Sequence, residues 1–92
     1  MIQEPLDQAT LAQFPGTVYI KVVGHNAPGM ELRVRAIVAG HVPAIEADAF
    51  CCRVSRGGHY LSVTCTVYAQ SREQMDAIYQ DLAKDPHFIL AL

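Results

Sequence analysis

No tryptophan occurs in this chain, cysteine occurs only three times, and basic residues are outnumbered, seven Lys and Arg against nine Asp and Glu. Each shortage excludes something. An odd cysteine count with no paired spacing does not make a disulfide framework, and it fits a reduced, cytosolic setting. A formal charge of -2 argues against binding nucleic acid by charge alone, which calls for a basic face. No apolar run approaches the roughly 20 residues of a membrane span. The polar, acidic opening MIQEPLDQ is not the pattern of a secretory signal. There is no Gly-rich phosphate loop. The four histidines, His25, His41, His59 and His87, are scattered without metal-ligand spacing, so neither a metal nor a cofactor is expected. No Ser/His/Asp or paired-carboxylate arrangement is legible, so catalysis is not expected either.

Apolar residues are plentiful, at 51%, so the chain is expected to fold rather than stay disordered. Ninety-two residues make one domain with a modest core, for which dimerisation would be a help. Met1 to Gln13 reads as a short lead-in, with Leu6, Ala9 and Leu11 at a spacing that suits one or two helical turns. Phe14 then plugs one end of the core.

The stretch from Thr17 to Val42 organises the rest. Val18, Ile20 and Val22 alternate with Thr17, Tyr19 and Lys21, the period of a half-buried strand. Gly24 and Pro28-Gly29 turn the chain. Met30, Val34, Ile37, Val38 and His41 then follow at helical spacing, one stripe toward the core and His41 near the helix end. A strand feeding a helix N-terminus leaves N–H groups that suit a carboxylate or phosphate. Gly24, His25, Asn26, Pro28 and Gly29 are therefore the candidate ligand-binding residues.

After a loop, HVPAIEAD, in which Glu46 and Asp48 read as solvated, Phe50 to Ser55 is a second strand. Gly57-Gly58 is predicted as a two-residue hairpin turn, and Tyr60 to Ala69 as a third strand. Ser71 and Gln74 have the spacing of a capping box at the start of a second helix, with Met75, Ile78, Tyr79 and Leu82 on its apolar face. Asp85-Pro86 stops that helix, and Phe88 to Leu92 is a short last strand. The order is βαββαβ, an α+β ferredoxin-like sandwich with two helices on one face of a four-stranded antiparallel sheet.

The hairpin register follows from the turn. Val54 faces Leu61, Cys52 faces Val63 and Phe50 faces Cys65, an apolar set predicted to pack under the helices, with Cys52 and Cys65 as core fillers. The opposite face receives Tyr19, Lys21, Cys51, Arg53, Ser55, Tyr60, Ser62, Thr64, Thr66 and Tyr68. Tyr19, Lys21, Arg53, Tyr60 and Tyr68 are the candidate interface residues. Two uses compete for them: packing against another protein or a second copy, or stacking single-stranded RNA. Cys51, exposed on that face, is the one thiol placed to be redox-sensitive.

Phe14-Pro15, Tyr19-x-Lys21-Val22-x-Gly24, the helix Met30 to His41, the hairpin ending Tyr60-x-Ser62-Val63 and the closing helix with Gln74, Tyr79 and Leu82 together resemble the YbeD-like family of small bacterial proteins. The resemblance runs from Phe14 to Leu92. It implies an ACT-like fold, a cytoplasmic location and no established activity. A second resemblance, confined to Asn26-Ala27-Pro28-Gly29-Met30, is to ACT regulatory domains, which bind amino acids at dimer interfaces. Those that sense serine hold it with an Asn at the place of Asn26. They also place a His where this chain has Gly24, and His25 sits one residue on. The combined expectation is a non-catalytic regulatory protein that forms a homodimer and senses a small carboxylate or docks on a partner enzyme. The alternative is a docking or RNA-binding module acting through the tyrosine-bearing face.

Overall fold

The computed structural model describes residues 14–92, so the lead-in expected over residues 1–13 lies outside it. The elements are β1 (Gly16–His25), α1 (Met30–His41), a short 3-10 turn (Ala47–Ala49), β2 (Phe50–Val54), β3 (Tyr60–Ala69), α2 (Arg72–Lys84) and β4 (Phe88–Ala91). The strands form one antiparallel sheet in the order β2-β3-β1-β4. This is the α+β ferredoxin-like arrangement expected from the element order.

Alternation along β1 and β3 decides the two sides. Val18, Ile20 and Val22 of β1, and Leu61, Val63, Cys65 and Val67 of β3, point to one side and are buried. Met30, Val34 and Val38 of α1, and Met75, Ile78 and Leu82 of α2, meet them from above. Phe14 packs against the rim of this core. Gly24 stays in β1 because nothing larger fits: an added Cβ would lie 2.7 Å from the His87 carbonyl oxygen and 2.9 Å from Met30 Cε. Helix α1 starts at Met30, two residues after Pro28. Gly29, at φ 84°, is its N-cap, a left-handed conformation that glycine adopts at no steric cost.

Two side chains fasten the helices to each other. Ser71 Oγ accepts from the Gln74 N–H at 3.1 Å, the expected cap of α2. The Gln74 amide does more than that cap requires. Its Oε1 accepts from the Gln70 N–H at 2.7 Å, and its Nε2 donates to the His41 carbonyl at 3.0 Å, where α1 ends. The His41 ring then reaches Asp81 on α2, Nε2 to Oδ2 2.6 Å.

Two expectations need correction. The paired residues are those predicted, Val54 with Leu61, Cys52 with Val63 and Phe50 with Cys65, but their common face is not fully covered. The helices sit over β1, β3 and β4, and β2 is the outermost strand, so Phe50 is half-buried, Cys52 exposed and Val54 52% exposed. Polar side chains of α1 overhang it. The Arg35 guanidinium lies 4.6 Å above the Phe50 ring, and the Glu31 carboxylate lies near enough to the Cys52 thiol to perturb it. Cys52 is thus no core filler, whereas Cys65 is. The hairpin turn is also longer than predicted. The Ser55 N–H still donates to the Tyr60 carbonyl at 2.9 Å, so the ladder closes there. Arg56 to His59 form the loop, with the Gly58 N–H bonded to the Ser55 carbonyl and only Gly58 at positive φ.

Candidate functional site

The turn after β1 and the turn before β4 lie side by side at one end of the sheet. Between them is a recess of about 170 Å³ lined by His25, Ala27, Pro28, Met30, Arg33, Pro86 and His87. That is roughly six water volumes, room for a small metabolite only. Asp85 stands at its edge, its side chain 9% exposed. Arg33 Nη1 approaches Asp85 Oδ2 at 3.4 Å, and the His87 backbone N–H and ring Nδ1 both reach Asp85 Oδ1 at 2.9 Å. Burial works to raise the Asp85 pKa. The two His87 hydrogen bonds and the Arg33 and His87 charges outweigh it and hold the carboxyl below its ordinary value.

Of the five ligand residues expected from sequence, His25 and Pro28 line this recess. Gly24 sits behind it, pressed against His87 and Met30. Gly29 sets the start of α1. Asn26 faces the other way: its Nδ2 donates to the Gly58 carbonyl at 3.0 Å and its backbone N–H to the His59 carbonyl at 2.9 Å. It ties the β1–α1 turn to the hairpin loop. Arg33, Asp85 and His87 were not legible in the sequence as members of a site. Arg33 was hidden on a helix face read only for its apolar stripe, and Asp85-Pro86-His87 read as a helix stop.

The five candidate interface residues do share one face, opposite the helices. Tyr19, Tyr60 and Tyr68 are 59%, 44% and 58% exposed. The face carries two grooves. One, of about 480 Å³, is lined by Lys21, Val23, Arg53, Val54, Ser55, Arg56, Tyr60 and Ser62. Tyr60 is held there by stacking on His25, ring centroids 5.5 Å apart. The other, of about 560 Å³, lies at the far end of the strands. Thr17, Thr66 and Tyr68 line it together with Glu46 and Asp48 of the α1–β2 loop. That loop reaches the sheet because β2 begins opposite Cys65, which leaves the last turns of β3 without a neighbour on that side.

Among the described residues no group of three or more His, Cys, Asp or Glu is placed to hold a metal ion, and no helix is long and apolar enough to cross a membrane. Two thiols are poor nucleophiles at neutral pH. Burial pushes Cys65 up to about 11, and partial desolvation with the nearby Glu31 carboxylate does the same to Cys52.

Fold and site together define a small ferredoxin-like α+β domain with a tight recess at one end of its sheet and a polar, tyrosine-bearing outer face. A family model described as a protein of unknown function, DUF493, matches residues 9–92. The chain is 34% identical over 87 residues to a UPF0250 protein of Nitrosomonas europaea, covering 95% of this chain and 100% of that one. It is 37% identical over 79 residues to one from Leptothrix cholodnii (86% and 87% covered) and 40% over 73 residues to one from Shewanella woodyi (79% and 81%). The chain belongs to this DUF493/UPF0250 family of small, YbeD-like bacterial proteins, whose names carry no catalytic activity.

Proposed function

We propose that this is a non-catalytic, cytoplasmic regulatory domain that takes up a small carboxylate in the recess between the β1–α1 and α2–β4 turns. The Arg33–Asp85–His87 cluster supports the reading. Here a carboxylate is already held between two cationic or hydrogen-bonding side chains, in a space of metabolite size. Arg33 is 48% exposed and uses one N–H of its fork on Asp85, so further donors remain for a second carboxylate. His25 and His87 add ring nitrogens, and the uncapped first turn of α1 adds backbone N–H groups, since Gly29 has no side chain to cover them. The ligand's binding is expected to change how the two turns are held, which is the regulatory output.

A thermal-shift screen against amino acids and short carboxylic acids tests it. A ligand at about 100 times its Kd stabilises by roughly 2.7 kcal/mol, a rise of many degrees for a domain this small. The shift should be selective and should vanish in Arg33→Leu. A shift that survives Arg33→Leu, or no shift with any compound, rejects the recess as a site. Asn26→Ala is the control: it loosens the hairpin tie and lowers Tm, and the ligand-induced shift persists.

A further inference from the structure

The charges of this molecule divide by side. Of the seven Lys and Arg side chains, the four on the helices, Arg33, Arg35, Arg72 and Lys84, are each within 4.0 Å of a carboxylate. The other three, Lys21, Arg53 and Arg56, have no carboxylate partner among the described residues, and all three line one groove on the outer sheet face. The acids behave likewise. Glu31, Asp76, Asp81 and Asp85 are paired. Glu73 lies in the first turn of α2, where the helix dipole favours it. Among the described residues Glu46 and Asp48 are left over, and they line the groove at the opposite end of the same face. Thr17 and Val23, one in each groove, are six residues apart on β1, about 20 Å along an extended strand.

The outer face is therefore polar in the electrical sense, basic at one end and acidic at the other. Between the ends lie Tyr19 and Thr64, with Tyr60 and Tyr68 flanking them. A polyanion laid across this sheet, such as single-stranded RNA, would be attracted at one end and repelled by Glu46 and Asp48 at the other. The partner that fits must carry the same two charges in reverse order. A second copy of this chain supplies them. Rotation by 180° about an axis that lies above the outer face, parallel to the sheet and across the strands, sets the two faces together, basic end over acidic end, at both ends at once. Such a contact is isologous, with each patch meeting its complement on the other copy.

We infer that the outer sheet face is a self-complementary surface for a second copy, joined by Lys21, Arg53 and Arg56 of each copy to Glu46 and Asp48 of the other. Tyrosine suits the middle of such a contact, giving apolar area with few rotamers and a hydroxyl for the neighbouring threonines. Four strands and their grooves cover roughly 20 by 25 Å, about 500 Å² per copy and about 1,000 Å² together, the lower limit for a specific interface. The dimer is accordingly reversible and weakened by salt. It does not depend on the recess, which opens elsewhere.

Charge reversal tests this directly, by sedimentation velocity over a concentration series of the full chain. Wild type should dimerise with a Kd that rises with salt. Arg53→Glu/Arg56→Glu alone, and Glu46→Lys/Asp48→Lys alone, should each weaken self-association at least tenfold. Mixing those two variants should restore a heterodimer, because both ends are then complementary again. The chain carrying all four changes should restore the homodimer. Unchanged thermal melting shows that each variant is folded. Wild type that stays monomeric at the highest concentration, a dimer indifferent to the reversals, or a mixture that stays monomeric each overturns the inference. So does tight binding of an oligonucleotide by a monomeric wild type.

Discussion

The helix side and the sheet side of this domain use the same kinds of residue differently. On the helix side polar groups hold the fold together. Gln74 joins the start of α2 to the end of α1, His41 reaches Asp81, and Arg35 clasps Glu31. On the sheet side Lys21, Arg53, Arg56, Glu46 and Asp48 make no ion pair among the described residues, and Tyr19, Tyr60 and Tyr68 are about half exposed. A charged residue therefore says little about function until its partner is known. The charges left without an ion-pair partner among the described residues single out the face where partners are to be sought.

Adjacent residues of β1 give the sharpest form of that contrast. Ile20, fully buried beneath both helices, should lose about 2–5 kcal/mol on truncation to alanine, from lost transfer energy and the cavity left behind. Lys21, its exposed neighbour, should change stability by less than about 0.5 kcal/mol when replaced by alanine. Urea denaturation of the two variants measures both, and similar losses would erase the distinction between the sides. Gly24→Ala should come next, at about 1–3 kcal/mol. Its Cβ would meet the His87 backbone at 2.7 Å, and a backbone atom yields less readily than the Met30 tip. The same variant should shift the α2–β4 turn, visible as amide chemical-shift changes at His87.

The element order, the sheet's inner and outer sets and the hairpin register were all legible, because alternation and helical spacing act over many residues at once. What escaped were facts of placement. The exposure of Cys52 and Val54 follows from β2 being an edge strand that two helices are too narrow to roof, and alternation alone does not tell a central strand from an edge. The recess joins helix α1 to a turn some fifty positions away in sequence, Arg33 to Asp85 and His87. No local pattern carries that. Asn26 shows the reverse case. Its loop motif suggested a ligand contact, yet its amide closes onto Gly58, a partner that only the folded hairpin provides.

Gln74→Ala should cost about 1–2 kcal/mol, since one side chain serves the N-terminus of α2 and the last carbonyls of α1. A loss no larger than that of an ordinary exposed helix residue would mean the two helices do not depend on it. Acid should act on the helix side as well. The Asp81 carboxyl is lowered from its ordinary 3.8 chiefly by the His41 hydrogen bond, with the His41 and Lys84 charges adding to it. The folded state then binds this proton less readily than the unfolded one, so stability rises with pH in this range. Asp81 contributes fully above about 3.8, and its contribution is lost as pH falls through the lower folded value. Asp81→Asn should flatten the fall in Tm below pH 4. An unaltered slope would show that the pair does not persist in solution.

Tyr79 is the exception on the helix side. Its hydroxyl is buried without a hydrogen-bond partner among the described residues, and burial pushes the phenol up to about 12. Leaving a buried hydroxyl unpaired costs about 1–3 kcal/mol, whereas removing it from a site that still accepts the ring costs little. Tyr79→Phe should therefore be neutral or more stable by up to about 1 kcal/mol, against the usual direction of core substitutions. Calorimetry of the variant decides the point. A clear loss would mean that the hydroxyl is bonded in solution, to a trapped water or to the lead-in, and that the polar groups of this side are all paired after all.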